Sequence, residues 1–385
     1  MKNNYISKDY WTEKPSVLGE VFVLAGKYDD VINLSIGDPD LPCDKGILDA
    51  AFADAYAGQT KYANFQGDPE LRAEISKYYK EEYDMDIADN EIFVTASGNI
   101  AMFMVMKAIL DPGDEVILVS PYYTPYPAQV ESNGGKVVEL LTLEEEDFQI
   151  NMDRLQSIIT PRTKAIVINT PGNPSGSCLS LETMQALAKV VEEHDLLVVA
   201  DDIYTSFSFQ NKFIPFASLP GMKERTICIN SFSKNFLMTG FRVGNVVAPA
   251  EIIKVMGVIN QCMMFCAPTI SQRAAIYALQ HRDEIQAPII AEYKERMYYA
   301  AERANKIPWM SVLYPPKGSF YLFINIKKTG LTSVEAMMKI LEDAHVLTLP
   351  GSEYGTSGEG FIRICCTVGI DTLKEVFDRF EKMEF

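Results

Sequence analysis

Short runs of β-branched and apolar residues, separated by segments with helical periodicity, constrain the fold of this chain most. The runs cover residues 92–95, 116–119, 165–168, 196–200, 227–230 and 243–247. Several are apolar on both faces, as strands are in a parallel sheet that is covered on both sides. Helical periodicity is found between them, at 68–83, 98–110, 181–194 and 268–280. This alternation predicts an α/β fold in which a mostly parallel wound sheet lies between helices.

The pattern changes after about residue 283. A long charged helix, two strands and two further helices are expected there, at 285–306, 320–324, 333–344, 361–365 and from Asp371 onward. This order predicts a small α+β domain beside the large one. We expect the large, cofactor-binding domain to cover 44–285, and both chain ends, 1–43 and 286–385, to form the small domain. Residues 9–24 are expected to be an arm or helix that packs on a partner subunit or over the active site.

Charge and cysteine content restrict the partners. The 385 residues include 35 Lys and Arg against 52 Asp and Glu, a net charge of −17 that would repel nucleic acid or an anionic membrane. No apolar stretch is long enough to span a bilayer, and residues 1–13 lack the apolar core of a secretory signal. Seven irregularly spaced cysteines favour reduced thiols in the cytoplasm. Three dispersed histidines make a metal site unexpected.

Polar residues follow the predicted strands, where open α/β sheets bind their ligands. Ser231, Ser233 and Lys234 come directly after the run at 227–230, and Arg242 follows eight residues later. A lysine at a strand's carboxyl end could act as a Schiff-base nucleophile, although an ordinary surface lysine is the alternative. The hydroxyls and the guanidinium are what a phosphate group would need.

Three further loops follow other strands. Asp201 could pair with a protonated ring nitrogen, and Tyr204 could donate to a phenolate, but Asp201 could also simply cap a helix or turn. In the loop at 169–176, two prolines and two glycines would aim the amide of Asn173, and a plain turn is the alternative. The small-residue loop at 97–99 precedes a helix, whose N-terminal amides can hold an anion.

Together these motifs resemble those of the class I/II aminotransferases, pyridoxal-phosphate enzymes of fold type I. The resemblance rests on Ser-x-Ser-Lys followed by Met-Thr-Gly-x-Arg-Val-Gly within 231–244, on Asn-Pro-Ser-Gly at 173–176 and on Asp-x-Ile-Tyr at 201–204. It extends from about Lys14 to the C-terminus. It implies pyridoxal 5'-phosphate as the cofactor and a homodimer as the assembly.

The resemblance assigns roles residue by residue. Lys234 matches the lysine that forms the Schiff base, Asp201 matches the partner of the pyridine nitrogen, and Tyr204 matches a donor to the cofactor's 3-oxygen. These three are the expected catalytic residues. The full set of expected cofactor-binding residues is Ser97, Gly98, Asn99, Tyr123, Asn173, Asp201, Tyr204, Ser231, Ser233, Lys234, Arg242 and Tyr62. Of these, Tyr123 matches the aromatic that stacks on the ring, and Tyr62 resembles the tyrosine that reaches the phosphate of the neighbouring subunit.

Three residues are expected to bind the substrate. Arg363 matches the arginine that holds the α-carboxylate, which a planar bidentate guanidinium suits better than a lysine would. Asn173 is expected to contact the substrate as well as the cofactor. Gly37 lies in Leu34–Asp40, which matches the segment that closes over the substrate.

The implied activity is transfer of an amino group from an L-amino acid to a 2-oxo acid. Dicarboxylate-specific relatives often use a second arginine from the partner subunit, and the corresponding region here, near 260–266, has none. This difference favours a neutral, aromatic or broad range of amino donors. An aspartate-specific aminotransferase and a carbon–sulfur β-lyase on the same fold remain the alternatives.

Overall fold

The computed structural model describes Tyr5, Ser7 and residues 17–385 of the chain. In this part the helices are α1 (Val17–Ala25), α2 (Lys45–Tyr56), α3 (Pro69–Tyr83), α4 (Gly98–Ile109), α5 (Tyr126–Glu131), α6 (Met152–Ile158), α7 (Leu181–Glu193), α8 (Phe232–Asn235), α9 (Ala250–Met263), α10 (Thr269–Gln280), α11 (Arg282–Ala304), α12 (Ser333–Ala344) and α13 (Ile370–Phe380). None of these described helices is long and apolar enough to cross a membrane.

The described strands alternate with those helices through the middle of the chain. They are β1 (Ile32–Asn33), β2 (Ile92–Thr95), β3 (Glu115–Ser120), β4 (Lys136–Leu141), β5 (Thr163–Asn169), β6 (Leu197–Asp201), β7 (Thr226–Ser231), β8 (Gly244–Val247), β9 (Tyr321–Asn325), β10 (Val346–Leu347), β11 (Leu349–Pro350) and β12 (Phe361–Cys365). The predicted α/β class is therefore confirmed.

Seven strands form the main sheet, in the order β2-β8-β7-β6-β5-β3-β4. Neighbours are parallel from β7 through β6, β5 and β3 to β4. Strand β8 is antiparallel to both β7 and β2. The sheet is thus mostly parallel, as predicted, and β8 is the strand whose direction departs from the pattern.

Hydrophobic cores on both faces bury this sheet. On one face, Ile117 and Ile166 belong to the same core cluster as Leu187 of α7. On the other, Val167 belongs to a cluster with Met102 of α4. Strands β2, β7 and β8 are buried at every position, whereas the edge strand β4 is largely half-buried. The central parallel strands β3, β5 and β6 are also buried over most of their length and have continuous apolar runs, as parallel strands covered on both faces do.

Two smaller sheets involve the chain ends. Strands β11, β12 and β9 form an antiparallel sheet in that order, and the rings of Phe323 and Phe361 stack there with centroids 4.7 Å apart. Strand β1 pairs in parallel with β10. The early residues 32–33 are therefore joined to the C-terminal part of the chain.

Most predicted elements agree with the structure to within a few residues. The helix expected at 333–344 and the strand expected at 361–365 coincide with α12 and β12. The sequence patterns did not indicate β4 or the two-residue strands β1, β10 and β11. The domain boundaries at 44 and 285 stay a prediction. Of the segment 9–24, residues 17–24 lie in α1, and residues 9–16 lie outside the described residues.

Candidate active site

The carboxyl ends of β5, β6 and β7 bring three predicted loops together. Asn169, the last residue of β5, pairs in register with Asp201, the last residue of β6. Asp201 in turn pairs with Ile229 of β7, two residues before Ser231. Because the strands are parallel, everything that follows them in sequence begins at the same edge of the sheet.

A cavity of about 530 Å³ lies at this edge. It is lined by nearly all the predicted site residues, namely Gly37, Ser97, Gly98, Asn99, Tyr123, Asn173, Asp201, Tyr204, Ser231, Ser233, Lys234, Arg242 and Arg363. The structure does not bring Tyr62 to the cavity within one chain. That side chain is 83% exposed, and its ring lies 5.2 Å from that of Phe265.

Lys234 lies in the short helix α8, directly after β7. The Ser231 side chain caps this helix by accepting a hydrogen bond from the Ser233 backbone N–H at 3.2 Å. The Lys234 amine donates to the carbonyl of Gly37. Burial lowers the pKa of this amine to about 8, although the carboxylate of Asp38 opposes the shift. A substantial fraction of Lys234 is therefore neutral near pH 8 and able to act as a nucleophile or base.

Asp201 is a buried carboxylate with one oxygen satisfied and one open. The hydroxyl of Tyr126 donates to its Oδ2, while Oδ1 has no hydrogen-bond partner among the described residues. Burial raises the pKa of Asp201 to about 6, against the opposing effect of the Tyr126 hydrogen bond. The open Oδ1 can therefore accept a hydrogen bond from an N–H or O–H group of a ligand in the cavity.

Another group of residues that line the cavity is suited to an anion. Ser97 caps the N-terminus of α4 with φ at 134°, an uncommon value for a residue other than glycine. A Cβ atom at Gly244 would lie 3.1 Å from the Gly98 amide nitrogen, so glycine there lets β8 approach this helix terminus closely. Ser231, Ser233 and the exposed Arg242 lie on the same cavity. Helix N-terminal amides, hydroxyls and a guanidinium are the groups that hold phosphate.

Arg363 enters the cavity from β12 and is 5% exposed. Its Nη1 donates to the side-chain oxygen of Asn173 at 3.1 Å, and its Nη2 donates to the carbonyl of Ser35. Its Nε has no partner among the described residues. The centroid of the Tyr321 ring lies 4.5 Å from the guanidinium carbon of Arg363. Arg363 is thus held in place by two of its five N–H donors, and its Nε is left without a partner among the described residues.

Tyrosines form much of the remaining wall. The hydroxyls of Tyr204 and Tyr321 are 3.0 Å apart, and burial raises the pKa of Tyr204 well above its ordinary value. The ring of Tyr123 lies 5.5 Å from that of Tyr126, edge to face. The hydroxyl of Tyr321 occupies the space that a Cβ at Gly37 would need, so this glycine permits the close approach.

Three tyrosines at this site, Tyr126, Tyr321 and Tyr354, were not predicted from the sequence. Tyr126 lies in the same Pro-Tyr-rich run as Tyr123, so proximity in sequence could have identified it. Tyr321 and Tyr354 lie far along the chain from the motif loops and line the cavity beside Arg363. Their local sequence contains no feature that distinguishes them from other buried tyrosines.

A larger cavity, of about 860 Å³, lies between the end of α3 and the loop at 208–218. It contains none of the predicted site residues. Size therefore does not identify the site. The smaller cavity is distinguished by the unpartnered buried atoms Oδ1 of Asp201 and Nε of Arg363, because buried polar atoms without partners are uncommon in folded proteins.

Comparisons with known proteins agree with this geometry. The family model described as Aminotransferase class I and II matches residues 29–380. The chain is 39% identical over 373 residues to an aspartate aminotransferase of Pyrococcus abyssi, covering 96% of this chain and 95% of that protein. It is 36% identical to aromatic-amino-acid aminotransferase 2 of Thermococcus litoralis, and the match covers 96% of this chain and 95% of that protein. The solved structure of Thermus thermophilus aspartate aminotransferase with maleate matches with a TM-score of 0.92 at 32% identity, covering 98% of this chain and 99% of that one.

These likenesses extend over nearly the whole chain, including every segment that lines the cavity. They confirm the resemblance drawn from the motifs, and the mixed α/β fold with its large, mostly parallel sheet is the fold of such enzymes. They also confirm pyridoxal phosphate as the cofactor and aminotransfer as the activity. The chain belongs to the class I and II aminotransferase family.

Proposed function

We propose that this aminotransferase takes its amino group from neutral or aromatic L-amino acids, uses Lys234 as its catalytic base and works as a homodimer. The observation that carries the proposal is the shared cavity. It combines a buried amine with a lowered pKa, a buried carboxylate with an open oxygen and a buried guanidinium with an open donor.

The residues present fit pyridoxal phosphate. The open Oδ1 of Asp201 would accept the pyridine N–H, and Ser97, Ser231, Ser233 and Arg242 would hold the phosphate. Tyr204 and Asn173 would donate to the 3-oxygen, Tyr123 would stack on the ring, and Gly98 and Asn99 would cover the phosphate's other side. When bound, the cofactor supplies an electron sink that stabilises negative charge at the substrate α-carbon.

Lys234 would then move the proton. Its neutral Nζ can accept the proton from the α-carbon and return it, because burial keeps the pKa of this amine near 8. The carbonyl of Gly37 orients Nζ through a hydrogen bond. Arg363 would bind the α-carboxylate through its open Nε, and the cavity walls would exclude water from the reacting carbon.

The charges of the cavity support a neutral or aromatic side chain. Among the described residues, the cations that line the cavity are Lys234, Arg242 and Arg363, and each has a role in the proposal. The acidic residues that line it, Asp38 and Asp201, are carboxylates. A distal carboxylate would therefore lack a cation among the described residues, whereas Tyr321 and Leu349 offer apolar contact. The Thermococcus litoralis relative is named for aromatic amino acids.

An exposed apolar surface supports the homodimer. Tyr62, Phe65, Val258 and Phe265 are between 41% and 83% exposed. Of these, Tyr62, Phe65 and Phe265 form one patch, since the rings of Tyr62 and Phe265 meet and the Asn260 amide donates to the carbonyls of both phenylalanines. Contiguous exposed apolar groups commonly mark interaction sites. In the proposed dimer, Tyr62 would reach the cofactor phosphate of the partner.

Cysteine usage supports a cytoplasmic location. All seven cysteines are unpaired in the structure, and Cys228, Cys365 and Cys366 are buried in strands or next to them. Proteins kept in reducing compartments usually retain free thiols. We therefore propose that the enzyme works in the cytoplasm.

The Lys234→Ala substitution is expected to reduce transamination at least about a hundredfold, because it removes the group that moves the proton. The measurement is the steady-state rate of transfer from phenylalanine to 2-oxoglutarate. Lys254→Ala, at an exposed position on α9 outside the cavity, is the matched control and should leave the rate unchanged. Wild-type turnover in Lys234→Ala would contradict the proposed role.

The pH dependence of cofactor uptake tests the lowered pKa of Lys234. The amine reacts only when neutral, so the rate at which the cofactor-free enzyme takes up pyridoxal phosphate should rise with pH and level off above about 8. The visible absorption of the bound cofactor reports the rate. Asp38→Asn should move the midpoint to lower pH, since Asp38 raises the Lys234 pKa. A midpoint above pH 10 would show that burial does not lower the pKa.

A donor screen tests the proposed side-chain preference. With 2-oxoglutarate as acceptor, kcat/KM for phenylalanine, tyrosine or leucine should exceed that for aspartate by at least about tenfold, the cost of leaving a buried carboxylate without a cation. Aspartate specificity is the second candidate, which the 39% identical Pyrococcus abyssi relative favours. An aspartate value equal to or above the aromatic ones would establish it.

The dimer is tested by sedimentation and by Tyr62→Phe. The enzyme should sediment at twice the mass of one chain, and loss of the Tyr62 hydroxyl should weaken cofactor binding about fivefold to tenfold, as expected for one lost hydrogen bond. Tyr56→Phe, 91% exposed and without an assigned role, is the control. An active monomer would overturn the assembly. A dimer whose cofactor affinity does not respond to Tyr62→Phe would overturn the role of Tyr62.

A further inference from the structure

Tyr354 has a buried hydroxyl without a partner. It follows β11 in the turn Gly351–Tyr354, and none of its surface is exposed. Its Oη makes no hydrogen bond to any described residue. The side chain nevertheless lines the active-site cavity. Tyr354 therefore lines the cavity while its hydroxyl, which could donate a hydrogen bond, has no acceptor among the described residues.

Other buried tyrosines around the site are satisfied. The hydroxyl of Tyr126 donates to Asp201, those of Tyr204 and Tyr321 pair with each other at 3.0 Å, and that of Tyr122 donates to Glu139 at 2.7 Å. A buried hydroxyl without a partner costs free energy, which a phenylalanine at the same place would avoid. The open hydroxyl of Tyr354 is thus the exception that requires an explanation.

The surroundings of Tyr354 point to an anion. The guanidinium carbon of Arg363 lies 5.3 Å from the centroid of the Tyr354 ring. Arg363 itself keeps an unpartnered Nε. Both residues line the same cavity, and each has a donor atom without a partner among the described residues, one of them charged. A carboxylate has two oxygens and can accept from both.

We propose that the hydroxyl of Tyr354 donates a hydrogen bond to the substrate α-carboxylate that Arg363 holds, which makes Tyr354 a further substrate-binding residue. The inference rests on the proposed role of Arg363. Burial raises the pKa of the phenol, so the hydroxyl keeps its proton and remains a donor at every working pH. The hydroxyl, which has no partner among the described residues, gains one when the substrate binds.

Binding of 3-phenylpropanoate to the holoenzyme tests this directly. This acid offers the carboxylate and an aromatic side chain but has no amino group, so no reaction follows binding. Tyr354→Phe should weaken its binding about tenfold by calorimetry, as a lost hydrogen bond to a charged group does. The KM for phenylalanine should rise by a similar factor while kcat changes less than threefold.

Two controls separate binding from structure. The thermal midpoint of ligand-free Tyr354→Phe should equal or exceed that of the wild type, because an unsatisfied buried hydroxyl is removed. Tyr122→Phe removes a buried but satisfied hydroxyl outside this cavity, and it should leave 3-phenylpropanoate affinity unchanged. For Tyr354→Phe, affinity for 3-phenylpropan-1-ol, which lacks the carboxylate, should also be unchanged.

The outcomes are distinguishable. The inference is overturned if the affinity of Tyr354→Phe for the acid is within twofold of the wild-type value. It is also overturned if the affinity for the alcohol falls by the same factor as that for the acid. In both cases the proposed function stands. If Arg363→Leu also binds the acid as tightly as the wild type, the carboxylate site of the proposed function fails as well. Weaker acid binding in both variants, with the alcohol unaffected in Tyr354→Phe, supports both.

Discussion

The buried carboxylate of Asp201 is the constraint on which the site depends. A carboxylate removed from water is costly unless other groups compensate it, and here burial raises its pKa to about 6. Among the described residues, the hydroxyl of Tyr126 donates to Oδ2, and Oδ1 has no partner. The position of Asp201 at the end of β6, between β5 and β7, in turn requires a sheet buried on both faces.

Burial shifts the pKa values of the acidic and basic groups of the cavity in opposite directions. Burial lowers the pKa of Lys234 to about 8 and raises that of Asp201 to about 6, so both groups move toward neutral pH from opposite directions. Arg363 stays charged and is held by oxygens of Asn173 and Ser35. An overall charge of −17 therefore coexists with a local group of cations that can attract anionic ligands.

The motif loops could be predicted from local sequence patterns, because each loop follows a run of apolar residues that indicates a buried strand. Ser231, Lys234 and Asp201 could be placed at one sheet edge from the strand pattern and the parallel rule alone. Tyr321 and Tyr354 could not, since they reach the cavity through a separate antiparallel sheet whose pairings join distant residues. The reversed direction of β8 escaped prediction for the same reason, as strand direction depends on pairing and not on composition.

By itself, the sequence determined the fold class, the cofactor family and the residues of the motif loops, because hydrophobic periodicity and closely spaced motifs are local properties. Only the tertiary structure decided which of those residues share one cavity, that Tyr62 stays outside it within one chain, and which polar atoms remain without partners. The physical reason is that burial and hydrogen bonding depend on groups brought together from far apart in sequence. The open donors of Arg363 and Tyr354 are therefore visible only once the chain is folded.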